Sequence, residues 1–273
     1  MPNKKNNFIQ SFLESDDFEK YIELFPHNIS SSGYDPWGLN INGIKSTLGI
    51  AKYLYTKYFR VEAFGLENIP KDGRVLIIPN HSGQLPIDGM MTGYSMITNP
   101  YAPRVPKAMV ERFFPTLPFV GNWLSSIGSI IGDPYNCAKL LDNDEAIIVF
   151  PEGVRGSGKL FKDRYKLQRF GNGFMHLAMK HNTPIIPVGI VGFEESIVSF
   201  ANMKGLADLL KIPYAPLIIP ALFPTKVYIH FGKPLYFEND IESEYEVKAR
   251  VNIIKNEIKN LIDIGLSKRT SLF

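Results

Sequence analysis

The stretch RVLIIPNHSGQLPIDGMM, residues 74–91, contains a short apolar run, a polar break and the start of a second apolar segment. An apolar run of this length, bounded by turn residues, is typical of a strand buried on both faces. Strands of that kind belong to parallel sheets whose faces are covered by crossover helices. The stretch therefore predicts one strand–loop–helix unit of an α/β fold.

Four further segments predict strands, and most of the stretches between them have helical or mixed patterns. These segments are YFRVEAFG (58–65), EAIIVFP (145–151), PIIPVGIV (184–191) and KVYIHFG (226–232). Alternation of strands and helices favours a sheet with right-handed crossovers. We predict an α/β fold with a mostly parallel central sheet flanked by helices.

Amphipathic helices are predicted on both sides of this sheet. A capping box of Asp16 and Glu19 opens the first, and a second spans about residues 41–57. Near the C-terminus, Ser243 and Glu246 form another capping box. The helix that follows carries an apolar stripe of Val247, Val251, Ile254, Ile258 and Leu261.

No composition shift divides the chain strongly. We assign an N-terminal amphipathic helical region to residues 1–57 and an α/β domain, including the C-terminal helix, to residues 58–273. The chain has 273 residues, of which 45% are hydrophobic and 21% charged, as in globular proteins. A net charge of +3 gives no indication of a nucleic-acid partner. The single cysteine, Cys137, excludes a disulfide framework within the chain and a multi-cysteine zinc site, and we expect it to be buried.

His81 follows the strand of the opening stretch, at the edge of the sheet where α/β proteins bind ligands. Asp88 comes seven residues later, and the turn formers Gly83 and Pro86 can fold its carboxylate back toward the imidazole. An imidazole oriented by a carboxylate is the machinery of a general base. The structural alternative is a histidine beside the next helix, with Asp88 as the N-cap of that helix.

A second candidate site is AIIVFPEGVRGSGK, residues 146–159, which also follows a strand. Its glycines let backbone N–H groups approach an anion, and arginine offers a planar fork to phosphate. The block resembles most of a Walker A loop, but Leu160 stands where the magnesium-binding Ser or Thr belongs. A solvated basic turn is the plain alternative. The candidate binding residues are Glu152, Gly153, Arg155 and Lys159.

Together, and about seventy residues apart, the two sites resemble the glycerophospholipid acyltransferase family, which includes 1-acylglycerol-3-phosphate acyltransferases. That family carries an N-H-x4-D motif, an F-P-E-G-x-R block and a later V-P-x-x-P-V-like strand. Here Phe150 to Arg155 matches the second block at every fixed position, and TPIIPVGIVG, residues 183–192, resembles the third. The resemblance covers roughly residues 58–235.

Two positions depart from the family pattern. Six residues separate His81 from Asp88 instead of four. The family's G-x-[IF]-x-x-x-R segment, whose arginine is associated with the acceptor phosphate, falls at GSIIGDP, residues 128–134. Pro134 takes the place of that arginine.

The resemblance implies an acyltransferase that acts on a glycerolipid. His81 would deprotonate the acceptor hydroxyl, which attacks the thioester of acyl-CoA or acyl-carrier protein, and Asp88 would orient His81. The second block would bind the acceptor, and no cofactor or metal is implied. The six basic side chains of residues 155–169 favour a lysophosphatidate-like acceptor over a neutral lipid alcohol or monoacylglycerol. A non-catalytic lipid-binding module of the same fold is the alternative from a different class.

The expected location follows from the lipid substrate. The sequence has neither the apolar segment of a signal peptide nor an apolar run of about 18 residues that could span a membrane. We therefore expect a cytoplasmic protein bound peripherally to the inner face of a membrane. The candidate contact regions are the N-terminal helices and the proline-rich segment 212–224.

Overall fold

A computed structural model describes residues 30–82, 85–116, 119–203, 205, 207, 214–240 and 243–272. The helix predicted to begin near Asp16 lies outside these residues.

A seven-stranded sheet forms the centre of the described chain, in the order β1-β9-β6-β2-β5-β3-β4. Neighbouring strands are parallel except β6 and β9, which are antiparallel. The predicted mostly parallel α/β fold is therefore confirmed. Nine strands are described, and β7 and β8 lie outside this sheet. The strands are β1 Glu62–Phe64, β2 Val75–Pro79, β3 Lys107–Val110, β4 Ser129–Ile131, β5 Ala146–Ile148, β6 Ile185–Val191, β7 Ser199–Asn202, β8 Pro216–Ile218 and β9 Tyr228–Phe231.

Helices connect most of these strands. They are α1 Ile41–Tyr53, α2 Ile87–Ile97, α3 Val120–Ser126, α4 Pro134–Asp142, α5 Val154–Ser157, α6 Gly173–Lys180, α7 Phe193–Ser196 and α8 Glu244–Lys268. A π-helical segment, Leu54–Tyr58, extends α1, so the helix predicted over 41–57 is confirmed. Short 3₁₀ turns lie at Leu66–Asn68, Phe114–Thr116 and Phe161–Asp163. Within the described part of the chain, no helix is both long and apolar enough to cross a membrane.

The sheet separates two apolar cores because successive side chains of a strand point to opposite faces. In β2, Val75 and Ile77 belong to the core covered by α1 and α2. Leu76 and Ile78 belong to the core covered by α4, α6 and α8. Cys137 lies in this second core, where burial raises the pKa of its thiol to about 11.

The C-terminal helix packs on the strand β6. The predicted cap is present, since the Ser243 side chain accepts a hydrogen bond from the Glu246 N–H at the start of α8. The buried stripe continues through Ile262 to Gly265, and Leu261, which was predicted to belong to it, is only partly buried. Leu261 instead packs directly against Gly189 of β6. A Cβ atom added to Gly189 would lie 2.5 Å from the Leu261 Cβ. Helix and strand therefore approach closely because that position lacks a side chain.

Candidate active site

The loop that carries His81 is tied to the neighbouring strand by Asn80. This asparagine is completely buried at the carboxyl end of β2. Its Oδ1 accepts a hydrogen bond from the Ile190 N–H at 2.7 Å, and its Nδ2 donates to the Ile190 carbonyl at 3.1 Å. Because both groups of the amide contact β6, the chain leaves the sheet in a defined direction.

His81 and Asp88, which the sequence analysis paired, are in contact. The His81 Nδ1 lies 2.6 Å from the Asp88 Oδ2, and the aspartate side chain is fully buried. Asp88 stands in the first turn of α2 and is not its N-cap, which is Pro86. The backbone N–H groups of Ser82 and Gly89 also donate to this carboxylate, each at 2.8 Å. Three donors therefore hold the carboxylate, and the longer spacing between the two residues does not prevent the contact.

The surroundings of His81 favour its protonated form. Burial alone lowers the pKa of this imidazole, but the carboxylates of Asp88 and then Glu152 outweigh burial, and the net pKa is raised. The ring stacks on Phe150, with 4.5 Å between ring centroids. With Nδ1 directed at Asp88, Nε2 is the ring nitrogen left to accept a proton from another molecule.

Glu152 and Lys159 are directed into the protein. Glu152 is completely buried, and its two oxygens accept hydrogen bonds from the backbone N–H groups of His81 at 2.9 Å and Gln168 at 2.7 Å. The Lys159 Nζ lies 3.7 Å from the Glu152 Oε2 and 2.9 Å from the Glu194 Oε1. Neither Glu152 nor Lys159 lines the cavity described below.

These contacts give Glu152 and Lys159 a structural function in the loop of His81. Their predicted part in binding the acceptor stays a prediction. The Walker A alternative loses its lysine, because a phosphate would have to compete with two carboxylates. Glu194 was not predicted, and burial raises the pKa of its carboxyl, opposed by Lys159. Because Glu194 lies 35 residues after Lys159 in the chain, no local sequence motif links the two residues.

Of the other two candidate binding residues, Gly153 lies at the cavity and Arg155 is exposed to solvent. Gly153 lines the cavity with φ +55°, a conformation that favours glycine, and an added Cβ there would lie 2.8 Å from the Glu111 Oε1. Arg155 is exposed, and its Nη2 donates to the Arg169 carbonyl at 3.3 Å. Gly156, not singled out from sequence, packs on His81, since an added Cβ would lie 2.6 Å from the His81 Cβ.

An apolar cavity of about 340 Å³ opens at His81. Side chains of α1, α2, β3 and β5 form much of its wall, among them Ile44, Leu48, Tyr94, Ala108 and Ile148. Its carboxylate side chains besides Asp88 are Glu111 and Asp133, and among the described lining residues none is Lys or Arg. Pro134, at the position where the family carries an arginine, is part of this lining.

Comparisons with known proteins agree with this geometry. The family model described as Acyltransferase matches residues 60–191, which contain both motif blocks. An uncharacterized protein of Mycobacterium tuberculosis H37Rv is 31% identical over 263 residues, covering 90% of this chain and 72% of that protein. The chain belongs to the acyltransferase family. The resemblance to glycerophospholipid acyltransferases is therefore confirmed, and the protein is an acyltransferase.

Two further proteins are similar to this acyltransferase. The human protein named DGAT1/2-independent enzyme synthesizing storage lipids is 27% identical over 207 residues, covering 74% of this chain and 60% of that protein. The crystal structure of the 1-acyl-sn-glycerophosphate acyltransferase PlsC from Thermotoga maritima has a TM-score of 0.57 at 18% identity. That match covers 98% of this chain and 90% of the other, and it shows that the two share a fold.

Proposed function

We propose that this acyltransferase moves a fatty acyl group from an acyl thioester, acyl-CoA or acyl-carrier protein, to a hydroxyl of a glycerolipid. The observation that carries the proposal is the position of His81. Its imidazole is held by the buried Asp88 carboxylate and stands at the wall of an apolar cavity. A general base that must remove a proton beside a hydrocarbon chain needs both features.

The geometry supports a direct transfer. The His81 Nε2 takes the hydroxyl proton of the acceptor while its oxygen attacks the thioester carbonyl, and a C–O bond forms. Asp88 stabilises the resulting imidazolium and keeps Nε2 directed at the substrate. As the tetrahedral intermediate collapses, the C–S bond breaks and the imidazolium returns its proton to the thiolate. The products are an ester and a free thiol, without an acyl-enzyme.

The charges at and near the cavity distinguish a phosphorylated acceptor from a neutral one. A lysophosphatidate-like acceptor, favoured from sequence, would be supported by the exposed guanidinium of Arg155 near the cavity residue Gly153. A neutral acceptor, such as a monoacylglycerol or another lipid alcohol, is supported by the cavity wall. Among its described residues that wall has neither Lys nor Arg, and it has Glu111 and Asp133, which would repel a phosphate. The name of the human relative, which refers to storage lipids, points the same way.

We therefore favour the neutral acceptor. The test is release of thiol and formation of labelled ester when the purified protein receives acyl-CoA with a monoacylglycerol or with lysophosphatidate at equal concentration. We expect faster transfer to the monoacylglycerol. Faster transfer to lysophosphatidate, with a higher KM for it in Arg155→Ala, would restore the acceptor predicted from sequence.

The same assay addresses the non-catalytic alternative. A lipid-binding module of this fold would bind the acceptor without releasing thiol from acyl-CoA or acyl-carrier protein. Absence of thiol release with both donors, in the presence of bound acceptor, would contradict the proposed chemistry.

A further inference from the structure

Away from the active site, β7 and β8 pair as an antiparallel ribbon separate from the central sheet. Large apolar side chains of this ribbon and its continuation are between 37% and 59% exposed. They are Phe200, Met203, Leu217, Ile218 and Ile219, which we call the apolar ribbon. Single exposed apolar residues are common, but a contiguous group marks a surface that binds something.

The apolar ribbon is attached to the block that supports His81. The Ser199 Oγ donates to the Lys159 carbonyl at 3.0 Å, and the Asn202 Nδ2 donates to the Gly158 carbonyl at 2.9 Å. Gly158 and Lys159 directly follow the turn in which Gly156 contacts His81. Whatever covers the apolar ribbon therefore lies close to the active site.

Exposed cations of residues 155–169 adjoin the apolar ribbon. Asp163 is the one acid of these residues, and its carboxylate pairs with Lys166 at 3.0 Å. Lys159 is buried and contributes no surface charge. The exposed cationic side chains, which we call the basic rim, are Arg155, Lys162, Arg164, Lys166 and Arg169.

We propose that the apolar ribbon and the basic rim form a docking surface for an anionic lipid bilayer. An apolar segment that enters the headgroup boundary, beside cations that meet anionic lipid, is the chemistry of peripheral membrane binding. The apolar ribbon contains part of the predicted segment 212–224. By contrast, α1, the described one of the predicted N-terminal helices, buries Ile44, Leu48 and Ala51 of its stripe in the core.

An acidic protein and a second copy of this chain are the competing occupants. An acidic protein would complement the basic rim but would leave the apolar ribbon unexplained. A second copy would bring its own basic rim against the first, and like charges would oppose that contact. A bilayer of anionic lipid satisfies the apolar ribbon and the basic rim together.

The test is co-sedimentation of the full chain with vesicles, in the absence of acyl substrates. Vesicles are phosphatidylcholine alone or phosphatidylcholine with phosphatidylglycerol. The ribbon variant Phe200→Ser/Leu217→Ser should lower binding to the mixed vesicles at least about tenfold. The matched control, Tyr245→Ser/Ile253→Ser, removes two exposed apolar side chains of α8 and should bind as the unmodified chain does.

Charge is tested separately. Lys162→Glu/Arg164→Glu should abolish the preference for vesicles that contain phosphatidylglycerol. Lys71→Glu/Lys248→Glu makes the same change in net charge away from the basic rim and should keep that preference. Thermal unfolding of each variant verifies that it is folded.

Three results would overturn the proposal. Folded ribbon variants could bind vesicles as well as the unmodified chain, which would place membrane contact elsewhere. The ribbon changes could convert a dimer to a monomer, which would identify a second copy. They could also weaken transfer from acyl-carrier protein while vesicle binding and transfer from acyl-CoA persist, which would identify the carrier. Because vesicle binding is measured without substrates, its outcome is independent of whether the proposed transfer occurs.

Discussion

Histidine–aspartate pairs lie at both ends of the central sheet. His81 contacts Asp88 at the carboxyl end of β2, and His181 contacts Asp142, with 3.0 Å between Nδ1 and Oδ1, just before β6 begins. The two contacts are alike, but Asp88 is fully buried whereas the Asp142 side chain is 64% exposed. His81 lines the cavity and His181 does not. Contact with a carboxylate therefore does not make a histidine a candidate base; burial of that carboxylate and access to a substrate do.

The largest expected effect separates the two histidines. His81→Ala should lower kcat by at least about 10²–10⁴-fold, because a positioned general base contributes that much. His181→Ala, which removes a similar contact far from the cavity, should leave kcat within about twofold. Both are measured as ester formation at saturating substrate, with circular dichroism to verify the fold. Equal losses of kcat in the two variants would show that a buried carboxylate partner and a position at the cavity do not distinguish a catalytic histidine.

Two buried lysines that pair with buried carboxylates provide a second comparison, one beside the active site and one away from it. Lys159 pairs with Glu194 beside the active site, and Lys107 pairs with Asp35 at the amino end of β3. Lys159→Met and Lys107→Met should each lower the free energy of unfolding in urea by about 3–5 kcal/mol, since each leaves a buried carboxylate unpaired.

The two lysine variants should differ in turnover. At a temperature where both are folded, only Lys159→Met should lower kcat, because Glu152 then loses its neighbouring cation while it holds the His81 N–H. Normal turnover in a folded Lys159→Met protein would show that this cluster serves stability alone.

A glycine substitution can move His81 without changing either member of its pair. Gly156→Ala places a Cβ atom 2.6 Å from the His81 Cβ, so the loop must shift. Because a misplacement of about 1 Å can cost about 10²-fold in rate, we expect a loss of that order. The control is Gly173→Ala, at a cavity residue where an added Cβ meets no atom within 4 Å, and turnover should be nearly unchanged.

The smallest expected effect is a displacement of the pH profile. Burial lowers the pKa of His81, but Asp88 and Glu152 raise it by more, so the net shift is upward. A base must be unprotonated, and kcat/KM, which reports the free enzyme, should therefore fall on the acid side with an apparent pKa above the ordinary value of histidine. Asp88→Asn removes the main raising group, so the acid limb of the residual activity should move to lower pH. Asp142→Asn should leave the limb in place.

The parts of the fold that sequence predicted are those with a strong local pattern. The strands β2, β5 and β6 lie in continuous apolar runs, β9 lies in an apolar segment interrupted by His230, and α8 has both a cap and a stripe. By contrast, β3 and β4 have four and three residues, and three of the four in β3 are only partly buried. The strands β1 and β5 are as short, but they lie within the longer segments 58–65 and 145–151, which have strand patterns. No such segment surrounds β3 or β4, so neither strand was predicted.

The active site shows a similar division. The contact of His81 with Asp88 could be predicted because the two residues are close in sequence and turn formers lie between them. The roles of Glu152 and Lys159 could not, because their partners come from separate segments of the chain. A sequence displays the charge of Lys159, but it does not display its burial or its contacts with Glu152 and Glu194.

The position of β1 at the edge of the sheet determines when this protein can finish folding. Its neighbour is β9, so residues 62–64, made early on the ribosome, must wait for residues 228–231 before they gain a strand partner. The antiparallel edge of β6 waits for the same strand. The matched family region ends at residue 191, before β9 has been made. A polypeptide released at that point would expose unpaired strand edges, which promote aggregation.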